Sequence, residues 1–143
     1  MLEAVSTTQR KRENTKSASV KLKVLDAVST ADYLLKTKLF AVVRDLQGAG
    51  GARMITLHTI DDLSSIEIML EQPHESRLGE WKVTAGLELS MYCKNVDMLS
   101  SMHEVLLGTE VNVTEWHDRP WGGQFWVVDK NENLFMLTNT AAA

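Results

Sequence analysis

The chain has 143 residues, of which 44% are hydrophobic and 24% charged, so it fits one globular domain or two small modules sharing a core. Its single cysteine, Cys93, excludes a disulfide framework and a thiolate metal site, and it indicates a reducing, cytoplasmic location. No apolar run approaches the roughly 20 residues that span a bilayer, and the polar N-terminus lacks a secretory signal. We therefore expect no membrane partner.

The formal net charge of −4 is unevenly distributed. Residues 1–18 contain four basic and two acidic side chains and carry +2, which leaves −6 on the rest of the chain. This segment has no hydrophobic period and predicts a flexible N-terminal arm. The acidic remainder argues against nucleic acid as a partner. The three alanines at 141–143 resemble a tag remnant, so we interpret 19–140 as the domain.

Residues 19–71 predict one strand, one helix and three further strands. Alternating apolar and polar residues over 20–24 predict a half-buried strand. A helix is predicted from apolar residues at helical spacing, Val28, Ala31, Leu34 and Leu35. Ser29 followed by Asp32 resembles a capping box at its start. Three short apolar runs predict strands, 40–43, 54–60 and 66–70.

After a polar connector over 72–86, residues 87–138 repeat this order. A strand is predicted over 87–93, followed by a helix that Asn95 caps and Gly108 ends. Its apolar face is assigned to Met98, Met102, Val105 and Leu106. Three more strands are predicted, 111–116, 125–128 and 134–137. The sequence thus predicts an α+β fold of two βαβββ modules, an internal duplication.

Strand alternation also predicts which side chains the second module presents away from its helix. This outer face is predicted to carry carboxylate, phenol, indole and thioether groups, from Glu88, Tyr92, Trp116, Trp126 and Met136. No second helix is available to cover it, so it is either a solvated sheet face or a cup that binds a small molecule. Trp116, Trp121 and Trp126 lie within eleven residues, a cluster that indicates either a stacking surface or a plug that packs the end of a barrel.

The histidines do not share a metal-ligand spacing. We predict His103 on the solvated exterior of the second helix and His58 on a strand in a hydrogen-bonded structural role. The alternation of side chains along the strand predicted over 87–93 places Cys93 on the side that faces the helix. We therefore predict that Cys93 is a buried apolar residue rather than a nucleophile.

The duplicated order and the segment over 120–133, PWGGQFWVVDKNEN, resemble the vicinal oxygen chelate superfamily. That superfamily includes glyoxalase I, extradiol dioxygenases and bleomycin-resistance proteins. Its pattern here is Pro-Trp-Gly, an aromatic strand, then an Asp-Pro-Asp-Gly-Asn turn, where this chain has Lys130 for the proline and Glu132 for the glycine. The resemblance implies βαβββ modules over 19–71 and 87–138 that form curved mixed sheets with a cup-shaped cavity.

The metal-dependent members of the superfamily take four ligands from the first and last strands of each module. The matching positions here are Ser19, Glu67, Glu88 and Met136. A serine and a thioether are poor ligands for hard divalent ions, and two carboxylates cannot close an octahedral site. We therefore expect no metal and no cofactor. The alternative is a metal-dependent glyoxalase-like lyase or isomerase with an altered ligand set that includes Glu67 and Glu88.

The metal-free branch is the bleomycin-resistance type, which binds an antibiotic without altering it and forms dimers. The resemblance thus implies a homodimer that binds a small molecule, with no catalytic residues. An acidic groove lined with indoles suits a flat, cationic aromatic ligand. The candidate ligand-binding residues are Glu88, Tyr92, Trp116, Trp121, Trp126 and Met136. A partner-binding module with an empty cup is the third interpretation.

Overall fold

The computed structural model describes residues 18–139 of the chain. The flexible arm predicted over 1–18 and the tag remnant predicted over 141–143 lie outside this range, except that Ala18 already belongs to the first strand. The described chain divides into two compact units. The first comprises residues up to Ile60 and Ser65–Val83, and the second comprises Asp61–Ser64 and the residues from Thr84 onward.

The first unit is a four-stranded sheet with one helix. Its elements are β1 (Ala18–Lys23), α1 (Ala27–Leu35), β2 (Phe40–Gln47), β3 (Arg53–Thr59) and β4 (Ile66–Gln72). The strand order is β1-β4-β3-β2, in which β1 is parallel to β4 and the other pairs are antiparallel. One short 3₁₀ turn, Ala49–Gly51, joins β2 to β3, and another, Glu75–Glu80, follows β4.

The second unit repeats this plan with five strands. Its elements are β5 (Glu88–Tyr92), α2 (Val96–Leu107), β6 (Asn112–Val113), β7 (His117–Arg119), β8 (Gly122–Val128) and β9 (Leu134–Thr138). The order is β5-β9-β8-β6, and β7 also pairs with β8. The two short strands β6 and β7 replace the single strand predicted over 111–116. A mixed α+β fold with two open sheets confirms the predicted fold class.

Helix α1 begins three residues earlier than the predicted capping box. Asp26 is the N-cap, and its carboxylate accepts a hydrogen bond from the Ser29 backbone N–H at 3.0 Å. Its buried residues are Ala27, Ala31 and Leu34, whereas Val28 is 37% exposed. The prediction of Ser29 as the cap is therefore wrong. Ser29 lies inside the first turn of the helix, and its backbone N–H donates to Asp26, the residue before the helix.

Helix α2 begins at the predicted cap but is rotated about its axis relative to the prediction. Asn95 accepts hydrogen bonds from the backbone N–H groups of Asp97 and Met98, and the helix ends at Gly108. Its buried residues are Leu99, His103 and Leu106, while Val105 is 59% exposed. Apolar spacing failed here because a histidine, which hydropathy places outside, occupies the core face.

The turn between β8 and β9 fixes the register of these strands. The Asp129 carboxylate accepts hydrogen bonds from the backbone N–H groups of Asn131 and Asn133 at 2.8 and 2.9 Å. The Asn133 side chain donates to the Thr84 carbonyl at 3.0 Å and accepts from the Leu87 N–H at 2.9 Å. One buried asparagine thereby ties the β8–β9 hairpin to the start of β5.

Glu132 lies in the left-handed region of this turn, with φ = 62°, at the position where the superfamily pattern has glycine.

No helix within residues 18–139 combines the length and the apolar character that crossing a bilayer requires.

We predict that Glu132→Gly raises the free energy of unfolding by about 1 kcal/mol, because glycine removes the backbone strain of a side chain at positive φ. Chemical denaturation measures this difference. Lys130→Gly in the same turn is the control, and it should lower stability by roughly 0.5–1 kcal/mol because Lys130 has no such strain to relieve. A Glu132→Gly protein less stable than the parent would contradict the prediction.

Candidate functional site

The register of the second sheet arranges the side chains opposite α2 in three rows. The rows are Glu88–Leu134–Val128, Ser90–Met136–Trp126 and Tyr92–Thr138–Gln124–His117. Of the alternate residues of these strands, Met91, Phe125, Phe135 and Leu137 are fully buried. Within the rows, Gln124 and Thr138 are buried as well, whereas Glu88 and Tyr92 are exposed. We call the side that carries the three rows the open face.

Trp126 lies in the middle row of the open face and connects its two sides. The indole Nε1–H donates to Oε2 of Glu88 at 3.4 Å, a contact that spans β9 because Glu88 lies on β5. On the other side, the His117 ring stands edge-on to the indole, with centroids 5.7 Å apart and an interplanar angle of 74°. A carboxylate, an indole and an imidazole are therefore in contact on one sheet face.

Four of the six predicted ligand-binding residues lie on the open face, namely Glu88, Tyr92, Trp126 and Met136. Glu88 is exposed, Tyr92 is 45% exposed, and Trp126 and Met136 are half-buried. The sequence missed His117, which pairs opposite Gln124 on β8. It was missed because strand parity was counted along 111–116 as an unbroken strand.

Trp116 lies on the opposite side of the sheet from Trp126, so the prediction that both indoles share one face is wrong. Its ring centroid is 5.8 Å from that of His103 and 6.2 Å from that of Phe125. On the outer strand, formed by β6 and β7, two residues separate Thr114 from His117. On β8 only one residue separates their partners, Trp126 and Gln124. This bulge reverses the alternation and turns Trp116 toward α2.

The prediction that His103 is solvated is also wrong. His103 is only 7% exposed, and its Nε2 lies 2.8 Å from the carbonyl oxygen of Thr114. Because a carbonyl only accepts hydrogen bonds, Nε2 carries the proton and donates it. The imidazole packs 4.7 Å from the Phe125 ring centroid and fills the space beside Trp116.

The other two tryptophans have separate environments. Trp121 is 50% exposed at the tip of the β7–β8 hairpin, where Arg119 pairs with Gly122, and its role in binding stays a prediction. Trp81 belongs to the first unit, where its Nε1–H donates to the Val24 carbonyl at 3.0 Å and the Lys23 ammonium lies 5.1 Å above its ring. Trp81 therefore tethers the connector to β1.

The four positions that match the superfamily's metal ligands do not form a donor set in either unit. In the first sheet Ser19 pairs with Glu67, and in the second Glu88 pairs with the apolar Leu134 while Met136 lies one row away. In the part of the chain that the structure describes, no group of three or more His, Cys, Asp or Glu side chains could hold a metal ion. A hard divalent ion does not fit these residues.

His58 lies next to Glu67 in the first sheet and is also unsuited to metal binding. It is 5% exposed, its Nδ1 lies 2.9 Å from the Thr59 carbonyl oxygen, and its Nε2 lies 3.2 Å from the Ser65 hydroxyl. Both ring nitrogens are thus engaged, which confirms the predicted structural role of this histidine.

A hollow of about 270 Å³ lies at the end of the first sheet, and Arg53 and Gln72 line it. Internal hydrogen bonds occupy these polar groups. Arg53 donates to the Asp45 carboxylate at 2.9 and 2.7 Å, which lowers the pKa of Asp45 from its ordinary value. Gln72 bonds to the Ala27 N–H and the Gly51 carbonyl. The open face of the second sheet is therefore the stronger candidate site.

No protein-family model matches the sequence, and no curated protein matches it. Solved structures with the same fold do match. A glyoxalase/bleomycin resistance protein from Streptomyces sp. CB03234 has a TM-score of 0.64 at 20% identity, with 86% of this chain and 99% of that chain covered. The antibiotic binding protein TnmS3 from the same organism has a TM-score of 0.62 at 20% identity, with 88% and 96% covered.

A member of the glyoxalase/bleomycin resistance protein/dioxygenase superfamily from Sphaerobacter thermophilus DSM 20745 has a TM-score of 0.64 at 21% identity, with 87% of this chain and 96% of that chain covered. The resemblance stated from residues 120–133 is therefore confirmed at the level of the fold. Identities this low do not transfer the roles of individual residues.

We predict that Gly123→Ala lowers the free energy of unfolding by roughly 1–3 kcal/mol, because its Cβ would lie 1.9 Å from Cζ2 of the packed Trp116 ring. Gly79→Ala is the matched control, since a Cβ there meets nothing within 4 Å, and it should change stability by less than about 0.5 kcal/mol. Equal stabilities for the two variants in urea titrations would argue against Trp116 packing on the helix side.

Proposed function

We propose that this chain, which has the fold of the vicinal oxygen chelate superfamily, binds a flat cationic aromatic molecule on the open face without altering it. The observation that carries the proposal is the contact between the Trp126 indole and the exposed Glu88 carboxylate, with the His117 ring on the other side. These groups offer π-surface and negative charge together, which is what a cationic aromatic molecule requires.

The Glu88 carboxylate supports a preference for cations. Only one of its oxygens, Oε2, bonds to the indole, at 3.4 Å, and the other, Oε1, has no partner among residues 18–139. An exposed oxygen beside an indole can therefore approach a cationic ring nitrogen while the ring lies against Trp126. A neutral ring of the same shape would gain only the stacking contribution.

The neighbouring side chains supply apolar contact area. Leu134 and Met136 lie between Glu88 and Trp126 in the strand order and are half-buried, and Tyr92 contributes a phenol that is 45% exposed. A thioether adapts its shape to ligands of different outline. These groups suit a ligand with several fused rings rather than a small polar metabolite.

The comparisons support small-molecule binding as the class of function, since a structure described as an antibiotic binding protein has the same fold. The donor set argues against the alternative of a metal-dependent lyase or isomerase, because the matching positions bring together no metal-binding group. The acidic body of the chain argues against nucleic acid, and the buried free thiol of Cys93 suits the cytoplasm.

We predict that N-methylacridinium, a permanent cation, binds more tightly than acridine, which is neutral near neutral pH and has the same ring system. Glu88→Gln should weaken N-methylacridinium about fivefold, or ~1 kcal/mol, and leave acridine unchanged, because only the charge-dependent contribution is lost. Fluorescence polarisation of the two dyes measures both constants. Glu104→Gln on the exposed surface of α2 is the control, and it should change neither.

Replacement of the indole tests the stacking contribution in the same assay. Trp126→Leu should weaken both dyes by about three- to tenfold, since an aromatic pair contributes roughly 0.5–1.5 kcal/mol beyond burial. Trp116→Phe, on the helix side, should lower stability and leave both affinities unchanged. If neither dye binds the parent protein below millimolar concentration, the proposal is wrong and the indoles are packing residues.

We further propose that the protein is a homodimer. In the first sheet β1 and β2 are edge strands, and most side chains of β2 are exposed, including Val42 at 39% and Leu46 at 54%. Sheet edges are normally paired or covered, and a two-fold dimer covers the same edge twice. Light scattering at micromolar concentration should give about twice the chain mass of 16.0 kDa. A particle of one chain mass would contradict this.

A further inference from the structure

We propose that His103, on the helix side of the second sheet, is a positioning residue that holds Trp126 and His117 in place on the open face. Its effect on ligand affinity rests on the proposed function, but its effect on the two rings does not. A partly buried hydrogen bond joins His103 to Thr114, and the bulge of the outer strand begins beside Thr114.

The hydrogen bonds lead directly from His103 to the backbone of Trp126. His103 Nε2–H donates to the carbonyl oxygen of Thr114 at 2.8 Å. Thr114 in turn donates its backbone N–H to the Trp126 carbonyl at 2.9 Å, and its hydroxyl accepts from the Trp126 N–H at 2.9 Å. Both backbone polar groups of Trp126 are therefore held by one residue, whose own carbonyl is held by His103.

The ring of His103 also stabilises the bulge that follows Thr114. Its centroid lies 5.8 Å from that of Trp116 and 4.7 Å from that of Phe125, so the imidazole contacts both rings on the helix side. With Trp116 kept inside, the next residue, His117, is presented to the open face and reaches the Trp126 ring at 5.7 Å. A strand without the bulge would exchange the directions of Trp116 and His117.

The chemistry of the buried residue favours a positioning role over simple core packing. A leucine or phenylalanine on this face of α2 would bury apolar surface without removing a polar ring from water. The histidine is 7% exposed, and its ring N–H donates to the carbonyl of Thr114, which lies between β6 and β7 and outside any regular strand pair. That bond fixes where the outer strand breaks, and the break determines which side chains flank Trp126.

Two substitutions separate the hydrogen bond from the ring. His103→Phe keeps an aromatic ring and removes the N–H donor, whereas His103→Gln keeps a side-chain N–H donor and removes the ring. The readout without any ligand is the nuclear Overhauser contact between the His117 and Trp126 ring protons. We expect this contact to be lost in His103→Phe and retained in His103→Gln, with cooperative unfolding in both.

The same variants titrated with N-methylacridinium connect the positioning role to binding. His103→Phe should bind the dye about tenfold more weakly, and His103→Gln within about threefold of the parent. A His103→Phe protein that keeps the ring contact overturns the proposal, as does equal loss in both variants, since packing would then suffice. If the ring contact responds as expected while the parent does not bind the dye, the proposed function fails and the positioning role stands.

Thr114 gives an independent test from the other end of the same hydrogen-bond chain. Thr114→Val removes the hydroxyl that accepts from the Trp126 N–H, and Thr114→Ser keeps it. Loss of the His117–Trp126 ring contact in the valine variant and its retention in the serine variant support the proposal. An unchanged contact in the valine variant would show that the Thr114 hydroxyl does not hold Trp126, and the proposed relay from His103 through that hydroxyl would be wrong.

Discussion

Between Thr114 and His117 the outer strand of the second sheet contains one residue more than the strand beside it. Period-2 alternation would otherwise put every second side chain on the same face, so one inserted residue reassigns all those that follow. Trp116 enters the core against Phe125, and His117 stands beside Trp126. The composition of both faces of this sheet depends on that insertion, which begins beside the partly buried hydrogen bond from His103 to Thr114.

The two units show how one duplicated plan leads to different surfaces. The outer strand of the first sheet also has a register shift, between Val42 and Arg44. The strand residues of its helix-free face, however, supply charge, since the Lys21 ammonium lies 3.2 Å from the Glu71 carboxylate. Lys21 and Ser90 each lie on the first strand of their unit. Lys21 pairs in register with Met69, and Ser90 pairs with Met136. The shared backbone plan therefore does not dictate a shared surface chemistry.

Local patterns predicted most of the fold because each is determined by neighbouring residues. Alternation gave the strands, Asn95 and Gly108 gave the ends of α2, and the turn after β8 carried the resemblance. The placement of Trp116 and His103 could not be predicted in this way. The bulge depends on a contact between two elements, the hydrogen bond from His103 on α2 to Thr114, which no local pattern reveals. A histidine can be assigned to the core only when its hydrogen-bond partner is known.

The two faces of the sheet in the second unit place different requirements on their side chains. Residues such as Phe125 and Leu137 on one side determine whether the unit folds, while Ser90 and Met136 on the other contribute little to the core. Changes at the latter positions can accumulate without loss of the folded state. Single substitutions on the open face can therefore change its surface chemistry while the core that folds the unit stays intact.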